Sequence, residues 1–349
     1  MSGRDRAGTG IYASRLIHQL SENSELAIKA FNGPQGSWAQ RLLWYHWQFP
    51  RALRQDRFDV LHSPAFVLPL RCPCPGVVTV HDLTSRIYPE HYDRRWLAYV
   101  NLIMPHTLAQ ASAVICVSEH SRKDLLKFYN VSSGKVHVVY HGVDHNRFLP
   151  GITLDQQWAR TLGLREGYVV HVGTFSHRKN IPTLLRAISH LRSKGKWGTR
   201  QLVLAGSHSE GMKGVQEVYD TIRELDLGSS VVLTGYVPDE HVPGLYAHAS
   251  ALVMPSLYEG FGFPVLESMA VGTPVIASNS SSLPEVAGDA AILVPPQDVE
   301  AWAKAIEDVI ESRIISSELQ RKGLARARQF SWERTAEQTL AVYRSVAQG

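Results

Sequence analysis

Short apolar runs of strand length alternate along this 349-residue chain with stretches whose apolar positions return at helical spacing, the pattern of a parallel α/β protein. In the first half the runs predict strands over residues 26–31, 59–62, 77–80, 113–117 and 136–139. Helices are expected between them at 11–20, 38–54, 94–110 and 119–128. A softer stretch over 145–156, holding Pro150 and Gly151, reads as a linker. The pattern then restarts, with strands at 168–173, 201–205, 231–234, 251–254 and 275–277, each followed by a helix or turn. Closing helices are expected at 299–312, 316–329 and 332–347. The expected architecture is α/β, two Rossmann-like domains facing across a cleft, with ligands at the carboxyl ends of the strands. Residues 1–148 form the first domain, 149–330 the second, and a terminal helix over 331–349 returns to the first.

Composition supports that division: 349 residues with 44% hydrophobic content exceed what one compact core organises. No run is apolar and long enough to span a bilayer. The opening residues Met1-Ser2-Gly3-Arg4-Asp5-Arg6 lack the apolar stretch of a secretory signal. Cys72, Cys74 and Cys116 complete neither a disulfide framework nor a zinc site, so a cytoplasmic location is expected. A net charge of +4 with neutral histidines suits an anionic substrate or the inner face of a membrane. It is too small and dispersed for nucleic acid.

The segment Tyr258-Glu259-Gly260-Phe261-Gly262-Phe263-Pro264-Val265-Leu266-Glu267 follows a predicted strand. Pro264 suits the first turn of a helix and Gly272 its end. The N–H groups of Phe263, Val265 and Leu266, with the positive helix end, make an anion site suited to a diphosphate. Gly260 and Gly262 let the backbone approach a ligand closely. Glu259 precedes the helix, facing a sugar, and Glu267 lies about 5–6 Å further along, where a ribose diol can reach it. The bland alternative is an ordinary strand–loop–helix turn with incidental glutamates. A second segment, Val172-Gly173-Thr174-Phe175-Ser176-His177-Arg178-Lys179-Asn180, puts two cations at another strand end, where they can hold a diphosphate or form a solvated loop.

In the first half, Gly8-Thr9-Gly10 is expected to precede a helix and offer backbone N–H groups to phosphates. Val80-His81-Asp82 ends a strand, leaving His81 to serve a ligand or a structural bond. His141-Gly142-Val143-Asp144 reads as a turn, and Ser118 as a helix cap. The aromatic and basic stretch 38–57 reads mainly as core, with contact to a membrane or lipid-linked acceptor as the alternative. No Asp-x-Asp pair is present to hold a metal against a diphosphate, and no Gly-x-Ser-x-Gly elbow.

At these residues the chain resembles family 4 of the glycosyltransferases, retaining enzymes of the GT-B fold that include many bacterial mannosyltransferases of polysaccharide assembly. The resemblance covers nearly the whole chain. It implies that Glu259 and the backbone of Phe261 and Gly262 contact the donor sugar, that Glu267 binds the ribose, and that Arg178 and Lys179 stabilise the departing diphosphate. By the same resemblance Gly10 abuts the phosphates, His81 is a cleft histidine, and Gly235-Tyr236-Val237 hold the nucleobase. Two departures stand out. Thr174 occupies a position where many members carry Arg, with Arg178 as the compensating cation, and members generally open with a strand ahead of the glycine loop.

The expected function is metal-independent, retaining transfer of a hexose to a saccharide or lipid-linked acceptor. The donor is a nucleotide diphosphate sugar, GDP-mannose being favoured and UDP-sugars remaining open, with no further cofactor. The alternatives are a non-catalytic nucleotide-sugar-binding protein and a GT-B epimerase. An oxidoreductase is disfavoured because Gly8-Thr9-Gly10 does not extend to the dinucleotide fingerprint.

Overall fold

The computed structural model describes residues 8–207 and 214–347. The chain divides into two compact units, Met1–Gly142 with Ser331–Gly349, and Val143–Phe330. In the first unit four parallel strands, β1 (Leu61–Ser63), β2 (Gly76–Val80), β3 (Ala113–Cys116) and β4 (Val136–Val138), pair in sequence order. Successive strand residues point to opposite faces, and the core follows that alternation. Val78, Val80, Val114 and Cys116 pack on one face with Met104, Leu108 and Leu125, whereas Val77, Ala113 and Ile115 pack on the other with Val342 of the terminal helix Trp332–Ala347. A buried polar chain runs through the latter face: Thr79 bonds Tyr12 at 3.0 Å and His62 at 2.8 Å.

Two expectations fail in this unit. Residues 26–31 form no strand; Ile28 is 42% exposed and Lys29 pairs with Asp56. An apolar run of strand length is not enough when no described neighbour completes the ladder. The helix expected over 38–54 is broken into Trp38–Leu43, a π-turn Trp44–Gln48 and Phe49–Asp56. Pro50 cannot donate an N–H, and its ring crowds the carbonyl one turn back. The wider turn, with Phe49 N–H bonding Trp44 O, relieves that crowding. Phe49, Pro50 and Leu53 are buried, as the core reading requires, but Trp38, Leu43 and Trp47 are about half exposed. The strand that family members carry ahead of the glycine loop, which is not read in the sequence before Gly8, concerns positions outside the described residues.

The second unit holds six parallel strands: β5 (Val169–Val172), β6 (Leu202–Ala205), β7 (Val231–Gly235), β8 (Ala251–Met254), β9 (Val275–Ser278) and β10 (Ala291–Val294). Their order is β10-β9-β8-β5-β6-β7, the doubly wound order of a Rossmann sheet. β10, an Ala-Ile-Leu-Val run between Gly288 and Pro295, was not among the expected strands. Strands β5, β6 and β8 contain only apolar residues except His171 and are buried throughout, apart from part of Val172, as strands covered on both faces are. Leu184, Leu185, Ile188, Leu191, Trp197, Trp302 and Ile306 fill the layer beside them. Strand order reverses between β5 and β8, which pair directly.

Trp302 is fully buried and its indole N–H bonds Pro295 O at 3.1 Å. Trp302→Ala therefore loses a large packing element and one of two hydrogen bonds to Pro295 O, which keeps the Asp298 N–H. We expect a loss of about 3–5 kcal/mol, measured by denaturant unfolding of the second unit.

Candidate active site

The two motif segments meet at the point where the second sheet reverses. β5 ends at Val172 and leads through Gly173 into the short helical turn His177–Lys179, closed by Asn180 in the left-handed region at φ 54°. That conformation suits Asn and aims its side-chain amide at two carbonyls, Pro255 at 3.0 Å and Pro296 at 2.6 Å. The loop after β8 answers with Leu257 N–H on Arg178 O at 2.7 Å. Gly173 leaves room for Lys179, since a β-carbon there would lie 3.0 Å from Lys179 Cε and 3.2 Å from its Nζ and would press on the end of that side chain.

Glu259 lies between the cations. Lys179 Nζ is 2.6 Å from one carboxylate oxygen and Arg178 Nη1 2.8 Å from the other. Lys179 and Glu259 are buried, while Arg178 keeps part of its side chain exposed. Burial alone would raise the Glu259 carboxyl. The charges of Arg178 and Lys179, with the bond from Lys179, outweigh burial and bring it down to about 2. Glu259 is thus a permanent anion inside a patch of two positive charges.

His171 of β5 borders the same place. Its Nδ1 donates to Val253 O at 3.0 Å, which fixes the tautomer. Burial and then the nearby Lys179 charge lower it to about 4, so the ring is neutral near pH 7. A β-carbon on Gly173 would sit 3.5 Å from its Nε2. This residue was overlooked in the sequence, although it is the one polar side chain in an apolar strand.

The helix Phe263–Val271 begins at Gly262, whose φ of 108° no other residue adopts readily, and ends at Gly272. A β-carbon on Gly262 would also meet Leu283 at 2.7 Å. The N–H groups of Val265 and Leu266, read from sequence as available to phosphate, instead donate to Gly262 O at 3.1 and 3.4 Å. Gly262 is the N-cap, and its carbonyl accepts the first bonds of the helix as any N-cap carbonyl does, which takes up these donors. Glu267, one turn in, accepts from Tyr246 OH at 3.1 Å. Burial pushes its carboxyl up to about 7, against the opposing effects of Arg147 and the Tyr246 bond. Two carboxylates of one loop–helix segment are therefore pushed in opposite directions.

A serine run after β9, also missed, borders the same loop. Ser280 Oγ donates to Leu257 O at 2.6 Å, and Ser281 Oγ accepts from Glu259 N–H at 2.9 Å. Ser282 Oγ lies 2.9 Å from both Glu259 O and Phe261 O. The legible signal was three hydroxyls in a row at the carboxyl end of a strand beside the reversal. At the end of β7, Gly235 takes φ 69°, Tyr236 is 61% exposed and Val237 is buried.

Gly10 and His81 belong to the first unit. Gly10 lies inside the helix Gly8–Ser21 rather than ahead of it. His81 Nε2 donates to Pro64 O at 2.9 Å and its ring packs edge-on to Tyr12 at 5.0 Å. That bond is the structural role left open for it by the sequence. Among the described residues no group of three or more His, Cys, Asp or Glu side chains is placed to hold a metal ion, and no helix is long and apolar enough to cross a membrane.

The model of the glycosyl transferases group 1 matches residues 155–329, and that of glycosyltransferase family 4 matches residues 12–147. The O-antigen chain mannosyltransferase B of Escherichia coli is 32% identical over 297 residues, covering 84% of this chain and 76% of its own length. Sucrose-phosphate synthase from Thermosynechococcus elongatus is similar in structure, with a TM-score of 0.78 at 23% identity over 97% of this chain and 93% of its own. The Anabaena protein HepE, solved in complex with UDP and glucose, gives a TM-score of 0.74 at 20% identity over 97% and 96%. These likenesses share the two Rossmann-like domains seen here, and the chain belongs to the group 1, family 4 glycosyltransferases of the GT-B fold.

Proposed function

We propose that this glycosyltransferase moves a hexose, with retained configuration, from a nucleotide diphosphate sugar to a saccharide or lipid-linked acceptor. The observation that carries this reading is the Arg178–Lys179–Glu259 group at the carboxyl ends of β5 and β8, where doubly wound sheets bind ligands. In this reading the diphosphate draws on Arg178 and Lys179, and Glu259 turns to the sugar hydroxyls. Glu267 takes the ribose diol, Tyr236 borders the base between Gly235 and Val237, and the Phe261–Gly262 backbone lies against the sugar. Phe263, Val265 and Leu266 contribute the helix end as a dipole. Gly10 and His81 are carried into the donor site by the family resemblance alone.

The bond from the sugar carbon to the phosphate oxygen breaks as the acceptor oxygen attacks from the same face, and a phosphate oxygen takes the acceptor's proton. The protein supplies charge and position, and no nucleophile. Lys179 and Arg178 neutralise the leaving group without a metal. Mannose is favoured by the O-antigen mannosyltransferase relative, a guanine nucleotide by the family resemblance alone, and a uracil nucleotide by HepE. Thermal-shift screening against GDP, UDP, ADP and their sugars names the donor by linkage. No shift with any of them would defeat the reading.

Charge at the leaving group matters most in the transition state. Lys179→Ala, assayed with a chelator present, is therefore expected to lose about 10²–10³ in kcat with a much smaller change in donor KM. An equal loss in both would contradict the role.

Glu267 gives a pH signature. Its folded value is raised from an ordinary 4.5 to about 7, so its contribution to stability is complete below 4.5 and is lost as pH rises through 7. Ribose binding favours the carboxylate. Affinity for a nucleotide sugar, which itself does not titrate there, should rise through about pH 7, and Glu267→Gln should flatten that rise in calorimetric titrations.

The acceptor side is proposed to meet an anionic membrane surface peripherally. Trp38, Leu43 and Trp47 stand about half exposed beside exposed Arg41, Arg51 and Arg54, the composition of an interfacial helix. Co-sedimentation with phosphatidylglycerol vesicles should fall in Trp47→Ser/Arg51→Glu. Unchanged sedimentation would remove the membrane from the proposal.

A further inference from the structure

Glu259 meets a mechanical problem if the transferase reading, on which this inference rests, is correct. In the free protein its side chain is held by Arg178 and Lys179. An incoming diphosphate competes for those two cations, and the grip on the carboxylate weakens at the moment it must hold the sugar. Some other anchor has to keep it in place.

The backbone around Glu259 carries that anchor. Its N–H bonds Ser281 Oγ and its carbonyl receives Ser282 Oγ, each at 2.9 Å. Ser282 also reaches Phe261 O at 2.9 Å, and Ser280 reaches Leu257 O at 2.6 Å. Ser278, at the end of β9, bonds Ser256 O at 2.5 Å. The loop is therefore held before, at and after Glu259 by hydroxyls that carry no charge. An anionic ligand has no electrostatic claim on such bonds. Ser282 is fully buried, so water does not replace it.

Ser281 adds a second, independent sign. It sits at φ 53°, one of four non-glycine residues in the left-handed region among the described residues. L side chains other than Asn and Asp avoid that region, and strain of this kind gathers at functional sites. A glycine would satisfy the backbone better but would have no oxygen to offer Glu259.

We propose that Ser281 and Ser282 are positioning residues, which fix the Glu259 backbone so that its carboxylate stays on the sugar when the donor diphosphate takes over Arg178 and Lys179. They touch no substrate. Their effect appears with the intact sugar nucleotide and not with the bare nucleotide.

The test compares wild type with Ser281→Gly and Ser282→Ala in the full chain, with the donor named by the thermal-shift screen. Ser281→Gly relieves the backbone, so its melting temperature should hold or rise, while amide exchange at Glu259 quickens. Turnover should fall about tenfold, the factor one lost hydrogen bond at a positioned group carries. Affinity for the bare nucleoside diphosphate should stay within about twofold, below the cost of a lost bond. Ser282→Ala should show the same split between sugar nucleotide and nucleotide after correction for folded fraction. Wild-type turnover in Ser281→Gly, or an equal loss of affinity for the bare nucleotide, would overturn the proposal while leaving the transferase reading standing. A wild-type protein inert toward every nucleotide sugar would remove both.

Discussion

A carboxylate enclosed by protein normally gives up its charge, because removing an anion from water costs several kcal/mol. Glu259 keeps its charge only because two cations from a different part of the chain lie against it. The surrounding geometry follows from meeting that condition. Gly173 gives up a side chain to leave room for Lys179. Asn180 accepts a left-handed backbone and bonds the loop that carries the glutamate. β5 and β8 lie side by side, bringing the two loops to one spot. Remove either cation and a buried charge is left under-compensated, which is far more disruptive than losing an exposed ion pair.

The second carboxylate shows what happens without such company. Glu267 has a tyrosine hydroxyl and a more distant arginine, and burial prevails. Environments that drive two titratable groups in opposite directions are a mark of divided labour in an active site. Here one group is a fixed charge and the other responds to conditions near neutrality.

Much of this was legible before any coordinates. Five of the six strands of the second unit and the helix from Phe263 bounded by Pro264 and Gly272 followed from apolar period and from glycine and proline placement, and residues 178, 179 and 259 followed from lying at carboxyl ends of two of those strands. What escaped had physical reasons. A π-turn depends on how Pro50 clashes with the turn behind it, which apolar period does not register. Residues 26–31 are an apolar run of strand length, yet a strand exists only where a neighbour takes its hydrogen bonds. The N–H groups of Val265 and Leu266 lie at the third and fourth helical positions, where the N-cap carbonyl of Gly262 already takes them, and the exact start of a helix is not fixed by apolar period. His171 and the serines were passed over because their importance lies in partners 21 to 82 positions away, a separation that local pattern does not carry.

The two halves of the charge cluster lie 80 and 81 positions apart in sequence, and the strand bearing the cations is the first of its sheet to be synthesised. A ribosome must therefore release Lys179 long before the glutamate that will neutralise it exists. Any nascent or truncated product ending ahead of β8 carries a naked positive pair on an unfinished sheet, unable to close and inviting to acidic surfaces. Completion of the charge cluster therefore waits on β8 and the loop that follows it.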